Sequence, residues 1–153
     1  VRHDLGLTAT PGSVKVPKLF AIESYQTVHQ LVSTITSTIR EDSSPCQCIR
    51  AAFPGGSMTG APKRRTLQIL DSLEGGARGI YSGVIGYFSL CGAVDLSIVI
   101  RTLVMSHGTM TFGVGGAITA MSTPEEEFEE TRIKAKAFLD LFQTGFADDT
   151  STP

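Results

Sequence analysis

The run from Phe53 to Glu74, FPGGSMTGAPKRRTLQILDSLE, constrains this chain more than any other stretch, because a glycine-rich turn must hand over directly to a helix there. Gly55, Gly56 and Gly60 open backbone conformations closed to other residues and leave room for a ligand to approach the main chain. Thr59 can cap a helix beginning near Ala61, and Pro62 fits its first turn, where no N–H is needed. Leu67, Leu70 and Leu73 then recur on one helical face until Gly75 and Gly76 end it. The free N–H groups of such a helix start, with Lys63, Arg64 and Arg65 just inside it, suit an anion such as a carboxylate or a phosphate. A nucleotide-binding P-loop is excluded, since Gly60 is followed by Ala61, Pro62 and Lys63 instead of Gly-Lys-Ser/Thr. On these residues alone, a turn that only redirects the chain before a basic surface helix stays open.

The 153 residues around this turn suffice for one globular domain that buries about two thirds of its unfolded surface. A net charge of -2 with 41% hydrophobic residues argues against both a nucleic-acid binder and a disordered chain. No stretch approaches the roughly 18 apolar residues of a membrane span, and no signal peptide is present, which points to the cytoplasm. The start at Val1, without a methionine, suggests a piece of something longer. Cys46, Cys48 and Cys91 form no Cys-x-x-Cys pair, so neither a disulfide framework nor a zinc site is expected.

Residues 1 to 20 read as loop with short extended pieces, broken by Gly6, Pro11, Gly12 and Pro17. From about Glu23 to Ile39, Val28, Leu31, Val32, Ile35 and Ile39 form a helical stripe with His29 on its flank, where a lone histidine is more often packing than chemistry. Glu41 to Gln47 reads as a loop and Cys48 to Phe53 as a short strand. Beyond Gly79 the period changes. Ile80 to Leu90 and Leu96 to Met105, separated by Cys91-Gly92-Ala93, predict a hairpin; a turn at His107-Gly108 and a strand Thr109 to Val114 extend it to an antiparallel meander, hence an α+β fold.

Arg101, in SIVIRTLVM, is predicted on a central strand, where an unpaired buried guanidinium would cost about 3–5 kcal/mol. It therefore needs an anion, either a structural carboxylate such as Asp95 or a substrate carboxylate held in a bidentate clamp. Tyr87 reads as a core aromatic. FGVGGAI, Phe112 to Ile118, exposes backbone N–H groups that could hold a carboxylate, but it also fits a strand end that needs close packing. The last helix opens with an N-cap at Thr123, Pro124 and a possible capping box. Glu127 and Glu130 share a face near the apolar side made by Phe128, Ala135, Phe138 and Phe142. Such a pair can bind Mg2+, or it can be a solvated acidic surface. From Gly145 the tail is polar and expected to be disordered.

Taken together, these runs resemble the chorismate-utilising enzymes. The first is similar to the signature PGGSxTGAPKxR; VRHDLG, GSVKVPKL and ESYQTVHQLVSTI resemble RNDLGRV, GSVxVPxL and ERxxxVxHLVSxV. RGIYSGVIGYFSLCGAVDLSIVIRT resembles RGxYxGxxGYxxxxGxxDxxIxIRT, the glycine run resembles AGxGxV, and STPEEEFEETRIKA resembles SxPxxEYxETxxKA. His3, Leu7, Thr8 and Met121 depart from the family's usual Asn, Arg, Val and Asp. The resemblance implies an α+β fold, the C-terminal part of a chorismate-binding catalytic domain of the anthranilate synthase component I type, over residues 1–143, with a tail at 144–153. It implies His29 as acid/base, Tyr81, Arg101, Gly115, Gly116, Ser57, Thr59 and Lys134 as substrate contacts, and Glu127 and Glu130 as Mg2+ ligands. Ammonia would come from a glutamine amidotransferase subunit or fused domain. Gly55, Ser57 and Thr59 lean toward the 4-aminobenzoate branch, since the anthranilate branch usually reads PAGTLSGAPK. The family's upstream PIKGT motif and its upstream metal-binding glutamates are not in this sequence. A non-catalytic remnant kept for binding is the alternative of another class.

Overall fold

The computed structural model describes residues 1–26 and 29–142. Where length suggested one globular unit, the chain divides into two compact units, Val1–Leu73 and Glu74–Pro153, and the break falls beside the exposed Gly75-Gly76.

The first unit runs α1 (Arg2–Gly6), β1 (Lys15–Ser24), β2 (His29–Thr36), α2 (Pro45–Ala52), α3 (Gly56–Thr59) and α4 (Lys63–Leu73). Residues 1–20 thus hold a short helix and half a strand, not only loop. The helix expected from Glu23 to Ile39 is a hairpin: β1 and β2 pair antiparallel from Ser24↔His29 to Lys15↔Thr36. Val32, Thr34, Ile35 and Thr36 explain the switch, because β-branched side chains are stiff at χ1 and pack well on a pleated surface once a partner strand is supplied. Pro17 sits where the ladder slips between Lys15 and Lys18, and Phe20 takes φ 51° at the next slip, so the strand absorbs its proline in an irregularity.

The opposite correction applies to Cys48–Phe53, which is mostly the end of α2 and not a strand. The Gln47 N–H donates to Ser44 Oγ at 3.3 Å, and the Ser44 N–H donates to Gln47 Oε1 at 2.7 Å, with Pro45 at the first helical position. This is a complete capping box. Thr59 does not cap α4. Its hydroxyl donates to the Gly55 carbonyl at 3.2 Å inside α3, and Gly60, at φ 92°, makes the corner in a conformation suited to glycine. The Lys63 ammonium is not free for an outside anion either: it lies 3.0 Å from Asp4 Oδ1 and donates to the Ala52 carbonyl at 3.0 Å. Asp4 is 6% exposed. Burial alone would raise its carboxyl, but the hydrogen bonds and charges of Lys63 and the Val1 amino group hold it below the usual carboxylate range.

The second unit runs β3 (Val84–Phe88), β4 (Val94–Ile98), β5 (Leu103–Ser106), β6 (Thr109–Phe112) and α5 (Pro124–Phe142). The expected meander is two antiparallel ribbons, β3-β4 and β5-β6. The strand expected from Leu96 to Met105 is interrupted because Val99 turns inward, exchanging backbone hydrogen bonds with Ser82 and Gly83 at 2.9 Å, and Arg101 takes φ 49°. A residue in the left-handed region cannot continue a ladder. In β3, a side chain at Gly86 would run into the Asp95 backbone across the ribbon. Tyr87, expected in the core, is 58% exposed. α5 packs through buried Ala135 and through Phe138, whose ring lies 4.0 Å from that of Phe112 on β6. Phe128 and Phe142, expected on the same apolar side, are exposed. No helix among the described residues is long and apolar enough to cross a membrane. The polar tail expected from Gly145 lies outside the described residues.

Candidate active site

The glycines after β6 are explained by what stands beside them. A side chain at Gly113 would collide with the Tyr81 ring; one at Gly115 would lie 3.1 Å from the Tyr81 hydroxyl, and one at Gly116 would lie 3.0 Å from Glu127 Oε2. Strand-end glycines of this kind mark close approach, and here the groups approached are a phenol and a carboxylate. A cavity of about 360 Å³, lined in part by Arg78, Tyr81, Val99, Thr102, Phe112 and Gly113, adjoins this run. Arg78 is fastened there by Glu74, with Nε donating to Oε2 at 2.9 Å, and it donates to Ser82 Oγ at 3.2 Å. The hydrogen bond to Arg78 holds the Glu74 carboxyl below its usual range.

On α5 the acidic residues divide by face. Glu125 and Glu126 are exposed, and Glu126 accepts a 2.7 Å hydrogen bond from the Thr123 hydroxyl. Glu127 is half-buried. Ser122 donates a hydrogen bond to its Oε1, while Oε2 is buried with no hydrogen-bond partner among the described residues. A buried carboxylate oxygen left unpaired is costly, so it calls for a donor or a cation. Glu130 is paired instead with Lys134 one turn on, and Lys134 also donates to the Gly115 carbonyl at 3.2 Å. The Glu127 oxygen fits a hard cation. Glu130 fits one if Lys134 is exchanged for it. Among the described residues no group of three or more His, Cys, Asp or Glu side chains is placed to hold a metal.

The structure therefore brings Tyr81, Gly115, Gly116, Glu127, Glu130 and Lys134 together. Arg101 is exposed at its bend, not buried on a central strand, and no carboxylate among the described residues pairs with it, Asp95 included. Its neighbours Val99 and Thr102 line the cavity. In the first unit, His29 lies exposed at the start of β2, not on a helix, with Nδ1 2.9 Å from Ser24 Oγ on the facing strand. Ser57 is exposed on α3, and Thr59 is buried with its hydroxyl given to Gly55. Sequence reasoning missed three residues of this neighbourhood. Gly113 and Arg78 stood in runs already singled out, FGVGG and RGIY; Ser122 carried no signal of its own, being one hydroxyl in a polar turn.

The profile of the family described as chorismate binding enzyme matches residues 1–140. The chain belongs to that family. Among its relatives, an aminodeoxychorismate synthase from Streptomyces griseus is 65% identical over 146 residues, covering 95% of this chain and 20% of that protein. Aminodeoxychorismate synthase component 1 of Escherichia coli is 48% identical over 139 residues, 91% of this chain and 31% of the relative. The crystal structure of anthranilate synthase component I from Streptococcus pneumoniae superposes with a TM-score of 0.78 at 34% identity, over 89% of this chain and 31% of that one. The α+β chorismate-binding fold is thereby shown, and the likeness is stronger to the aminodeoxychorismate synthases. The chain spans a third or less of each of these three proteins.

Proposed function

We propose that this chain forms the C-terminal part of a catalytic domain that aminates chorismate to 4-amino-4-deoxychorismate, with ammonia delivered by a glutamine amidotransferase, for 4-aminobenzoate and folate synthesis. The observation that carries the reading is the Glu127 carboxylate, pinned at one oxygen by Ser122 and left without a partner at the other, beside Gly116. In this reading Glu127 and Glu130 hold Mg2+, which when bound orients a carboxylate of the substrate and offsets its charge. Arg101 receives the second carboxylate, as a guanidinium with no internal carboxylate partner among the described residues. The Tyr81 hydroxyl and the main chain at Gly115 and Gly116 bind the substrate from the glycine side. Lys134 turns from Glu130 to a substrate oxygen, and His29 takes or gives a proton at ring position 4. Ser57 contacts the substrate directly. Thr59, its hydroxyl given to the Gly55 carbonyl, serves the substrate by holding the signature turn.

The test supplies chorismate, Mg2+ and ammonium to the protein with its complete catalytic domain and separates the products by chromatography. We expect 4-amino-4-deoxychorismate. Anthranilate would move the chain to the tryptophan branch, and chorismate recovered unchanged would leave it a binding remnant.

A further inference from the structure

We propose that Ser122 is a positioning residue that decides which oxygen of Glu127 is offered to a divalent cation; the inference rests on the metal site proposed above. Ser122 lies in the turn between the glycine run and α5. Its Oγ receives the Thr119 N–H at 3.0 Å, with the Thr119 hydroxyl 3.3 Å away, and its own N–H donates to the Thr119 carbonyl at 3.2 Å. With a lone pair engaged by a backbone donor, the Ser122 hydroxyl is oriented to give its proton away, and it gives it to Glu127 Oε1.

This bond breaks the equivalence of the two carboxylate oxygens. Oε1 accepts a charge-assisted hydrogen bond, and Oε2 is held in a buried position against Gly116 with no hydrogen-bond partner among the described residues. Without the hydroxyl, the carboxylate can rotate about its last bond, and its free oxygen loses a fixed place. Groups that orient metal ligands in this way are worth about 10- to 100-fold in metal affinity. A serine kept only to start α5 has no such effect, because the backbone bond from Glu127 N–H to the Thr123 carbonyl at 3.1 Å does not involve it.

The experiment titrates the complete catalytic domain with Mn2+ as the probe ion, reading free ion by electron paramagnetic resonance, with circular dichroism as the check on folding. Glu127→Gln should lose most binding, Ser122→Ala should weaken it about tenfold, and Ser122→Thr, which keeps the hydroxyl, should bind like the parent. In the complete domain, Ser122→Ala should raise the Mg2+ concentration for half-maximal rate and leave the rate at saturating Mg2+ nearly unchanged. If Ser122→Ala disturbs the fold, the shape-matched pair Ser122→Thr and Ser122→Val makes the same comparison. Equal affinity with and without the hydroxyl, while Glu127→Gln still weakens binding, overturns the role of Ser122 alone. If Glu127→Gln binds as tightly as the parent, the metal site falls and the role of Ser122 falls with it.

Discussion

Arg101 is singled out by its sequence setting for one reason and proposed for the site on another. Apolar neighbours on both sides predicted a buried guanidinium, yet the backbone turns at φ 49° and leaves the side chain exposed, with no carboxylate partner among the described residues. Arg101→Ala should therefore leave the fold intact, within about 0.5 kcal/mol, as surface substitutions do. In the complete domain it should weaken chorismate binding by about 10- to 100-fold, the worth of a charged hydrogen bond. Calorimetry with unchanged affinity would remove Arg101 from the site. Gly116 makes the complementary case. A methyl there would sit 3.0 Å from Glu127 Oε2, and that oxygen cannot retreat while Ser122 holds its partner. Gly116→Ala should raise the Mg2+ requirement, measured by activation titration, with little change in helix content by circular dichroism.

At the scale of the element, α5 sorts its acidic residues by their surroundings. α5 carries Glu125, Glu126, Glu127, Glu129 and Glu130, but its turn and the glycine run select Glu127, with Glu130 on the same face. Glu127→Gln and Glu130→Gln should each raise the Mg2+ needed for activity, whereas Glu125→Gln and Glu126→Gln should do so far less; four identical titrations would make the helix a solvated acidic surface. α1 and α4 make a second element-scale case through Asp4 and Lys63. Because the folded Asp4 pKa is depressed, the stability it contributes is present above the unfolded value near 3.8 and is lost as pH falls through the lower folded value. Lys63→Ala should destabilise the first unit at pH 7 by about 3 kcal/mol, the low end for a broken buried pair, since Lys63 keeps 20% of its side chain exposed. It should also narrow the stability difference between pH 7 and pH 3 in urea denaturation.

At the scale of the molecule, the proposed residues fall into two sets, His29, Ser57 and Thr59 in the first unit and the others in the second. The described residues offer two α5 carboxylates for a metal and no cluster of three ligands, and Mg2+ gives up its waters reluctantly. Large apolar side chains such as Leu19, Phe20, Ile22, Leu90 and Met121 stand more than half exposed. Residues 1–153 by themselves should then give no steady turnover of chorismate with Mg2+ and ammonium, and should self-associate in sedimentation. Steady turnover by a monodisperse sample would show that the chain suffices as an enzyme.

What the sequence determined by itself was the motif content: the order and spacing of PGGSMTGAPK, RGIY, IRT, FGVGG and the α5 glutamates establish the family, and the turn signals at Cys91-Gly92-Ala93 and His107-Gly108 place two of the three hairpins among the described residues. It also carried the Ser44-Pro45-Gln47 capping box, misread as loop because a polar stretch with proline has the composition of both. The strand pairing of His29 was not legible, because Leu31, Val32 and Ile35 satisfy a helical stripe as well as a strand, and only β1, opposite, chooses between them. Nor could local pattern show that Lys63 is taken by Asp4, 59 positions earlier in the chain, or that one hydroxyl distinguishes the oxygens of Glu127. Those are decided by tertiary structure, because a buried charge or lone pair is satisfied by whatever the fold brings within about 3 Å, at any separation along the chain.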